Sequence, residues 1–110
     1  MICEPWDLVV VPFPFSEQLG SKRRPALVLS SRDFNEAGHV ILAMVTSRSH
    51  TPWPGDSPLS DWKGAGLSVP CMVRLKLFTL DHRLVLRRLG ALSSKDRKDV
   101  SGSFRVFLRL

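Results

Sequence analysis

Three apolar runs dominate the first half of the chain: Leu8-Val9-Val10-Val11, Ala26-Leu27-Val28-Leu29 and Val40-Ile41-Leu42-Ala43-Met44-Val45. Each is short, rich in β-branched residues and bounded by polar or turn-forming residues, which predicts strands. None alternates apolar with polar positions. A strand that is apolar throughout is one covered on both faces. Pro12 and Pro14 close the first run, and proline donates nothing to a ladder, so that strand ends at a sheet edge or bulge. A polar, glycine-containing loop from Ser16 to Arg24 follows. Strand character returns from Val69 to Phe78 and again around residues 84–92, with Gly90 as a break. The tail changes period: Val100, Phe104, Phe107 and Leu108 recur at i, i+4, i+7 and i+8, one face of a helix. Ser93, with Asp96 three residues on, resembles a capping box in which Asp replaces the usual Glu or Gln. Short strands followed by one helix predict a mainly β fold. A small closed or half-closed barrel with the helix packed on it is the natural solution, because closure removes unpaired edges.

With 110 residues, no repeat and no linker, residues 1–110 read as one domain. The segment 47–66 carries Pro52, Pro54, Gly55, Pro58, Gly64 and Gly66 and reads as a long loop, a kind of segment that in compact domains is usually functional or mobile. Sixteen Lys and Arg against ten Asp and Glu give a net charge of +6. Such a surplus favours a polyanionic partner, whether nucleic acid, an acidic protein segment or an anionic membrane face. A merely solvated basic surface accounts for the charge equally well. Cys3 and Cys71 form neither a disulfide framework nor a zinc motif and fit a reducing cytoplasm. The segment Met1–Asp7 is acidic and broken by Pro5, unlike a signal peptide, and every apolar run is far below the ~18 residues of a membrane span.

The arginines carry the candidate chemistry. Arg24 precedes Pro25, which biases it toward extended backbone at the mouth of the second strand, where a guanidinium can grip a phosphate bidentately. Lys22 and Arg23 add field in the adjoining loop. Thr46-Ser47-Arg48 closes the third strand with two hydroxyls and a guanidinium, suited to a phosphate or a ribose hydroxyl, although Ser and Thr also end strands in ordinary turns. Trp53 and Trp62 can stack on bases or cover a core edge. Arg74 and Lys76 alternate with Val73 and Leu75, so both point to one face. His39, His50 and His82 lack ligand spacing, and the chain carries no catalytic-metal, P-loop, dinucleotide or nucleophile-elbow motif. Chemistry on RNA would then run without metal or cofactor. The 2′-hydroxyl would attack the adjacent phosphorus, with Arg24 the first candidate to stabilise the dianionic transition state.

These residues resemble the PemK/MazF family of bacterial toxins. The stretches that carry the resemblance are Asp7-Leu8-Val9-Val10-Val11-Pro12-Phe13-Pro14-Phe15, residues 20–30 with Arg24-Pro25, and Met44-Val45-Thr46-Ser47. Trp53-Pro54-Gly55-Asp56, residues 73–81 and Leu89-Gly90-Ala91-Leu92-Ser93 follow in family order. The resemblance implies a small Src-homology-three-like barrel of short strands with a C-terminal helix. It implies a cytoplasmic homodimer that arrests growth as a metal-independent endoribonuclease, with RNA as substrate and a cognate antitoxin whose disordered segment lies over the active groove. Arg24 corresponds to the family's R-P arginine and Thr46 to its hydroxyl residue after the third strand. Ser16-Glu17-Gln18 is similar to an acidic S-E-Q segment, two residues farther from Arg24 than in the family, which makes Glu17 the third catalytic candidate. Where other members carry an acid on a later strand, Leu75 stands here beside Lys76, so Glu17 or a substrate-assisted route is left for the general base. Lys22, Arg23, Ser47, Arg48, Trp53, Arg74 and Lys76 would track the RNA. Two alternatives stand beside this reading: a non-catalytic gyrase poison on the same scaffold, and a plain RNA-binding barrel.

Overall fold

The computed structural model of the chain describes residues 1–13 and 22–110. The apolar runs form β1 (Asp7–Pro12), β2 (Arg23–Val28) and β3 (His39–Ser47), and the later segments form β4 (Ser57–Pro58), β5 (Cys71–Asp81) and β6 (Arg87–Ala91). They pair antiparallel in the order β4-β5-β3-β2-β1-β6. The result is a curled six-stranded sheet, a half-barrel, with helix α2 (Ser94–Arg105) on it. This is the mainly β architecture with a C-terminal helix that the periodicity predicts.

Two cores explain why the strands show no alternation. Leu8, Leu27, Ala43 and Val45 join a cluster with Leu59, Leu92, Val100 and Phe104. Their strand neighbours Val9, Val11, Ala26, Val28, Val40 and Leu42 join the other, with Cys3, Phe13, Phe78 and Val85. Successive side chains point to opposite faces and both faces are covered, so every position is apolar.

Curling comes from bulges. In β5, Leu77 opposes Ala43 and Arg74 opposes Met44, which leaves Leu75 and Lys76 in a register slip. Such a slip bends a strand and increases its twist. The two sheet edges, β4 and β6, do not pair with each other. The segment 59–67 fills the gap instead, with Leu59, Ala65 and Leu67 buried in the first cluster. Its backbone runs against β6 so closely that a Cβ added at Gly90 would stand 2.6 Å from the Ala65 carbonyl oxygen. Gly66, with φ +88°, presses likewise on the Leu89 carbonyl. Glycine is needed at both positions because the two backbones touch there.

The helix shows one agreement and two differences. Ser93 caps it, its hydroxyl accepting from the Asp96 N–H at 3.2 Å. Asp96 does not reciprocate as in a capping box. Its fully buried carboxylate accepts the Ser60 and Asp61 N–H groups, each at 2.9 Å, and so ties the closing segment to α2. Val100 and Phe104 are buried and Leu108 packs against the same cluster, but Phe107 is 52 % exposed. The helix ends at Arg105, so Phe107 has left the helical register that its spacing implied.

The polar stretch after β2 holds a short helix, α1 (Arg32–Glu36), capped by Ser31. Its Asn35 is buried, with its amide donating to the Cys3 and Ser30 carbonyls at 2.8 and 3.2 Å. The strand expected from Val69 starts at Cys71 and runs to Asp81, and a 3-10 turn (His82–Leu84) delays β6 to Arg87. Among the described residues no helix is long and apolar enough to cross a membrane.

Candidate functional site

The β2–β3 ladder pairs Ala26 with Met44, Leu27 with Ala43 and Val28 with Leu42. It starts at Ala26, one residue after Pro25, which has no N–H to give. Beyond it the strands part, and two residues along each from the Ala26–Met44 pair stand Arg24 and Thr46. A surface cleft of about 240 Å³ opens there, lined by Arg24, Pro25, Thr46, Ser47, His50 and, on its far wall, Leu67, Val69 and Cys71. The structure thus brings together the arginine and the hydroxyl that the sequence singles out.

Their surroundings differ in a useful way. Arg24 is half-buried, and among the described residues its guanidinium forms no ion pair and no hydrogen bond. It lies 5.7 Å from the centre of the Phe13 ring, which itself stands edge-on to Phe78 at 5.8 Å. An aromatic face holds a cation in place without neutralising it. Thr46 is buried. A turn from Ser47, whose carbonyl accepts the His50 N–H at 3.3 Å, folds the chain back so that His50 Nδ1 lies 2.8 Å from Thr46 Oγ1. The same nitrogen is 3.2 Å from Ser47 Oγ and 3.3 Å from the Ser47 carbonyl oxygen. Motif spacing gave no hint of His50, since only the turn at 47–50 brings it to Thr46.

A second cleft of about 440 Å³ adjoins the first through Arg24 and Pro25 and adds Val10, Arg23, Leu86 and Arg87. The register puts both Pro25 and Arg87 opposite Val10, and Arg23, two residues before Pro25 on β2, shares their face, so two guanidinium groups stand beside the Arg24 cleft. Arg87 belongs to no motif in the sequence; only its register opposite Val10 brings it to this cleft. Arg88 turns the other way and pairs with Asp7 at 3.0 Å. Lys22 is exposed at the mouth of β2, where its carbonyl accepts the Phe13 N–H at 3.1 Å.

Other sequence candidates fall elsewhere. Arg74 does not face solvent: it is buried, with Nε and Nη2 donating to the Asp56 carboxylate at 3.0 and 3.1 Å and Nη2 also to the Thr51 carbonyl at 2.8 Å. The expectation that it lines an open basic face is corrected, because its charge is used inside the protein. The Trp53 ring, 41 % exposed, meets Arg74 at 5.2 Å and Lys76 at 5.5 Å, so it is braced by two cations. Arg48 lies outside the Arg24–Thr46 cleft; its N–H donates to the Pro70 carbonyl and its guanidinium to that of Leu59, fastening the long loop. Trp62 packs against the first core cluster. Glu17 lies outside the described residues. Burial pushes the Cys71 thiol up, with Arg48 pulling modestly the other way.

Half-barrel, R-P strand and hydroxyl cleft together define a small mainly β scaffold with an arginine and a hydroxyl in one surface cleft. Residues 4–108 match the PemK-like, MazF-like toxin of type II toxin-antitoxin systems, and the chain belongs to that family. Among solved structures, MazF in the Deinococcus radiodurans MazE-MazF complex (Form-II) is 25% identical, with a TM-score of 0.76 over 100% of this chain and 98% of that one. An endoribonuclease in complex with its cognate antitoxin from a mycobacterial species has a TM-score of 0.71 at 12% identity, over 96% of this chain and 91% of that one. The Mycobacterium tuberculosis toxin MazF-mt6 gives 0.71 at 17%, over 88% and 90%. These last two show the fold alone. No curated protein matches the chain.

Proposed function

We propose that this chain is the toxin of a toxin–antitoxin pair, a metal-independent endoribonuclease that cleaves single-stranded RNA through attack by the ribose 2′-hydroxyl. The observation that carries this reading is a charged Arg24, held on an aromatic face without a carboxylate partner among the described residues, sharing a cleft with Thr46. Charge grows on the phosphate oxygens as the pentacoordinate state forms, and a preorganised guanidinium in a partly desolvated cleft stabilises it more than the ground state. Thr46 orients the scissile phosphate by donating its hydroxyl proton. Arg23 and Arg87, in the adjoining cleft, with Lys22 beside it, supply the field that draws the RNA backbone.

The antitoxin partner has support in the MazE-bound form of the Deinococcus structure. A disordered, acidic antitoxin segment lying over the three-arginine cleft would exclude RNA by occupying the same charges. A homodimer in the cytoplasm completes the reading. The decisive experiment incubates the purified protein with a defined RNA in EDTA and examines the ends. Cleavage to 2′,3′-cyclic phosphate and 5′-hydroxyl products supports the reading; a strict need for an added divalent cation overturns it.

One observation favours a second reading. Val106, Phe107 and Leu110 are exposed at the C-terminus, not packed as a helix end. A non-catalytic poison would dock through those apolar side chains. It predicts intact RNA in the same assay and growth arrest abolished by Phe107→Asp, whereas the nuclease reading predicts cleavage unaffected by that change.

A further inference from the structure

We infer that His50 is the group that takes the proton from the 2′-hydroxyl, an inference that rests on the endoribonuclease reading. The argument starts from its Nδ1. Three oxygens surround that nitrogen: Thr46 Oγ1 at 2.8 Å, Ser47 Oγ at 3.2 Å and the Ser47 carbonyl at 3.3 Å. The hydroxyls can donate or accept, but a carbonyl oxygen only accepts. Of the two neutral tautomers, the carbonyl therefore selects the one with its proton on Nδ1. Nε2 is then the ring's lone-pair nitrogen, and among the described residues it makes no hydrogen bond.

Two consequences follow from the one tautomer. With Nδ1–H donating to Thr46 Oγ1, the threonine's own proton is released from His50 and directed to a non-bridging phosphate oxygen. Nε2 belongs to an exposed residue that lines the same cleft as Arg24, and in this scheme it is the atom that meets the ribose. In the step, the 2′-O–H proton passes to Nε2 as the 2′-oxygen bonds to phosphorus. The P–O5′ bond breaks with its electron pair on the 5′-oxygen, which takes a proton from water. The imidazolium, held by its Nδ1–H bonds, then returns its proton to solvent. Imidazole suits the task because it both accepts and releases protons near neutral pH. Arg24 stabilises charge in this scheme and does not carry a proton.

Two substitutions separate proton transfer from positioning. His50→Asn keeps an N–H donor for Thr46 and removes the lone pair. His50→Gly removes the ring and leaves room for free imidazole. Both are expected to cut RNA roughly 10²–10⁴-fold more slowly at unchanged melting temperature. Millimolar imidazole is expected to restore part of the rate to His50→Gly and none to Arg24→Ala. Parental cleavage by His50→Asn overturns the inference, since Nδ1–H alone would then suffice. A folded His50→Gly protein that imidazole does not rescue overturns it as well. If the parent itself leaves RNA intact, the nuclease reading falls first, and that outcome is distinguishable from either of these.

Discussion

Arg24 and Arg74 look alike in the sequence, each a basic residue beside a run of apolar strand positions, and the fold gives them opposite fates. Arg74 is buried with its guanidinium forked onto Asp56, side chains 10% and 10% exposed, and capped by Trp53. Arg24 is half-buried against Phe13 with no carboxylate beside it among the described residues. A buried cation requires a partner, because leaving it alone in low dielectric costs several kcal/mol. A cation at a cleft mouth can keep its charge for a ligand. One arginine therefore supports the loop, and the other is the one the proposed function assigns to the phosphate.

The largest effect expected from breaking this contrast is on catalysis. Arg24→Ala should lower RNA cleavage by roughly 10²–10⁴-fold, the range for losing one transition-state donor, while the melting temperature hardly moves. Single-turnover cleavage and a thermal melt read the two quantities side by side. Parental cleavage by this variant would remove Arg24 from the site.

Arg74→Ala should do the reverse. It strands the Asp56 carboxylate in a buried site, a loss of about 3–5 kcal/mol of stability seen in chemical denaturation. Replacing both members, as Arg74→Met with Asp56→Leu, should recover most of that, because no unpaired charge is left. A double variant as unstable as the single one would show that Trp53 and the Thr51 carbonyl, not Asp56, carry the arginine's role.

How far these fates could be read in advance depends on how local their causes are. The strands were legible because apolar runs with proline and polar boundaries depend on neighbouring residues alone. Arg24 and Thr46 were legible because each sits at the end of such a run. Arg74 was not, since its partner Asp56 stands 18 residues away and reaches it only after the loop folds. His50 needed the 47–50 turn. Asp96 looked like part of a cap, but its ligands are backbone amides 35 and 36 residues earlier. Helix α1 hides its anchor in a polar residue, Asn35, which hydrophobic periodicity cannot register. Phe107 kept the period of a helix that had already ended, and the sequence holds no glycine or proline there to mark the stop.

A smaller effect tests the closure that supplies one wall of the Arg24 cleft. Gly90→Ala would push a methyl group into the Ala65 carbonyl, and the backbone on both sides must shift. Overpacking of this kind typically costs about 1–3 kcal/mol. Because segment 59–67 also carries the cleft wall at Leu67, some loss of cleavage should accompany the loss of stability. Gly102→Ala, with nothing near its added Cβ, is the control and should be neutral or slightly stabilising.

The smallest expected effect comes from the cleft's own nucleophile-like atom. Cys71 lines the same cleft as Arg24 and Thr46, yet its Sγ–H donates to the Val69 carbonyl at 3.3 Å and the residue is buried. Burial raises its thiol above the usual range more than Arg48 lowers it. A raised thiol holds its proton at neutral pH, and the thiolate is the reactive form, so the sulfur should be inert. Cys71→Ser should therefore cleave RNA within about threefold of the parent, since a change of about 0.6 kcal/mol in the barrier corresponds to that factor. Iodoacetamide should modify Cys71 at neutral pH only after denaturant is added, and mass spectrometry of the treated native protein reads this directly. Rapid alkylation in the native state, with loss of cleavage that Cys71→Ser shares, would put a thiolate among the working groups. The cleft would then hold a reactive sulfur besides the proposed Arg24–Thr46–His50 cluster. Slow alkylation with full cleavage leaves the proton chemistry to nitrogen and oxygen, and the sulfur to packing.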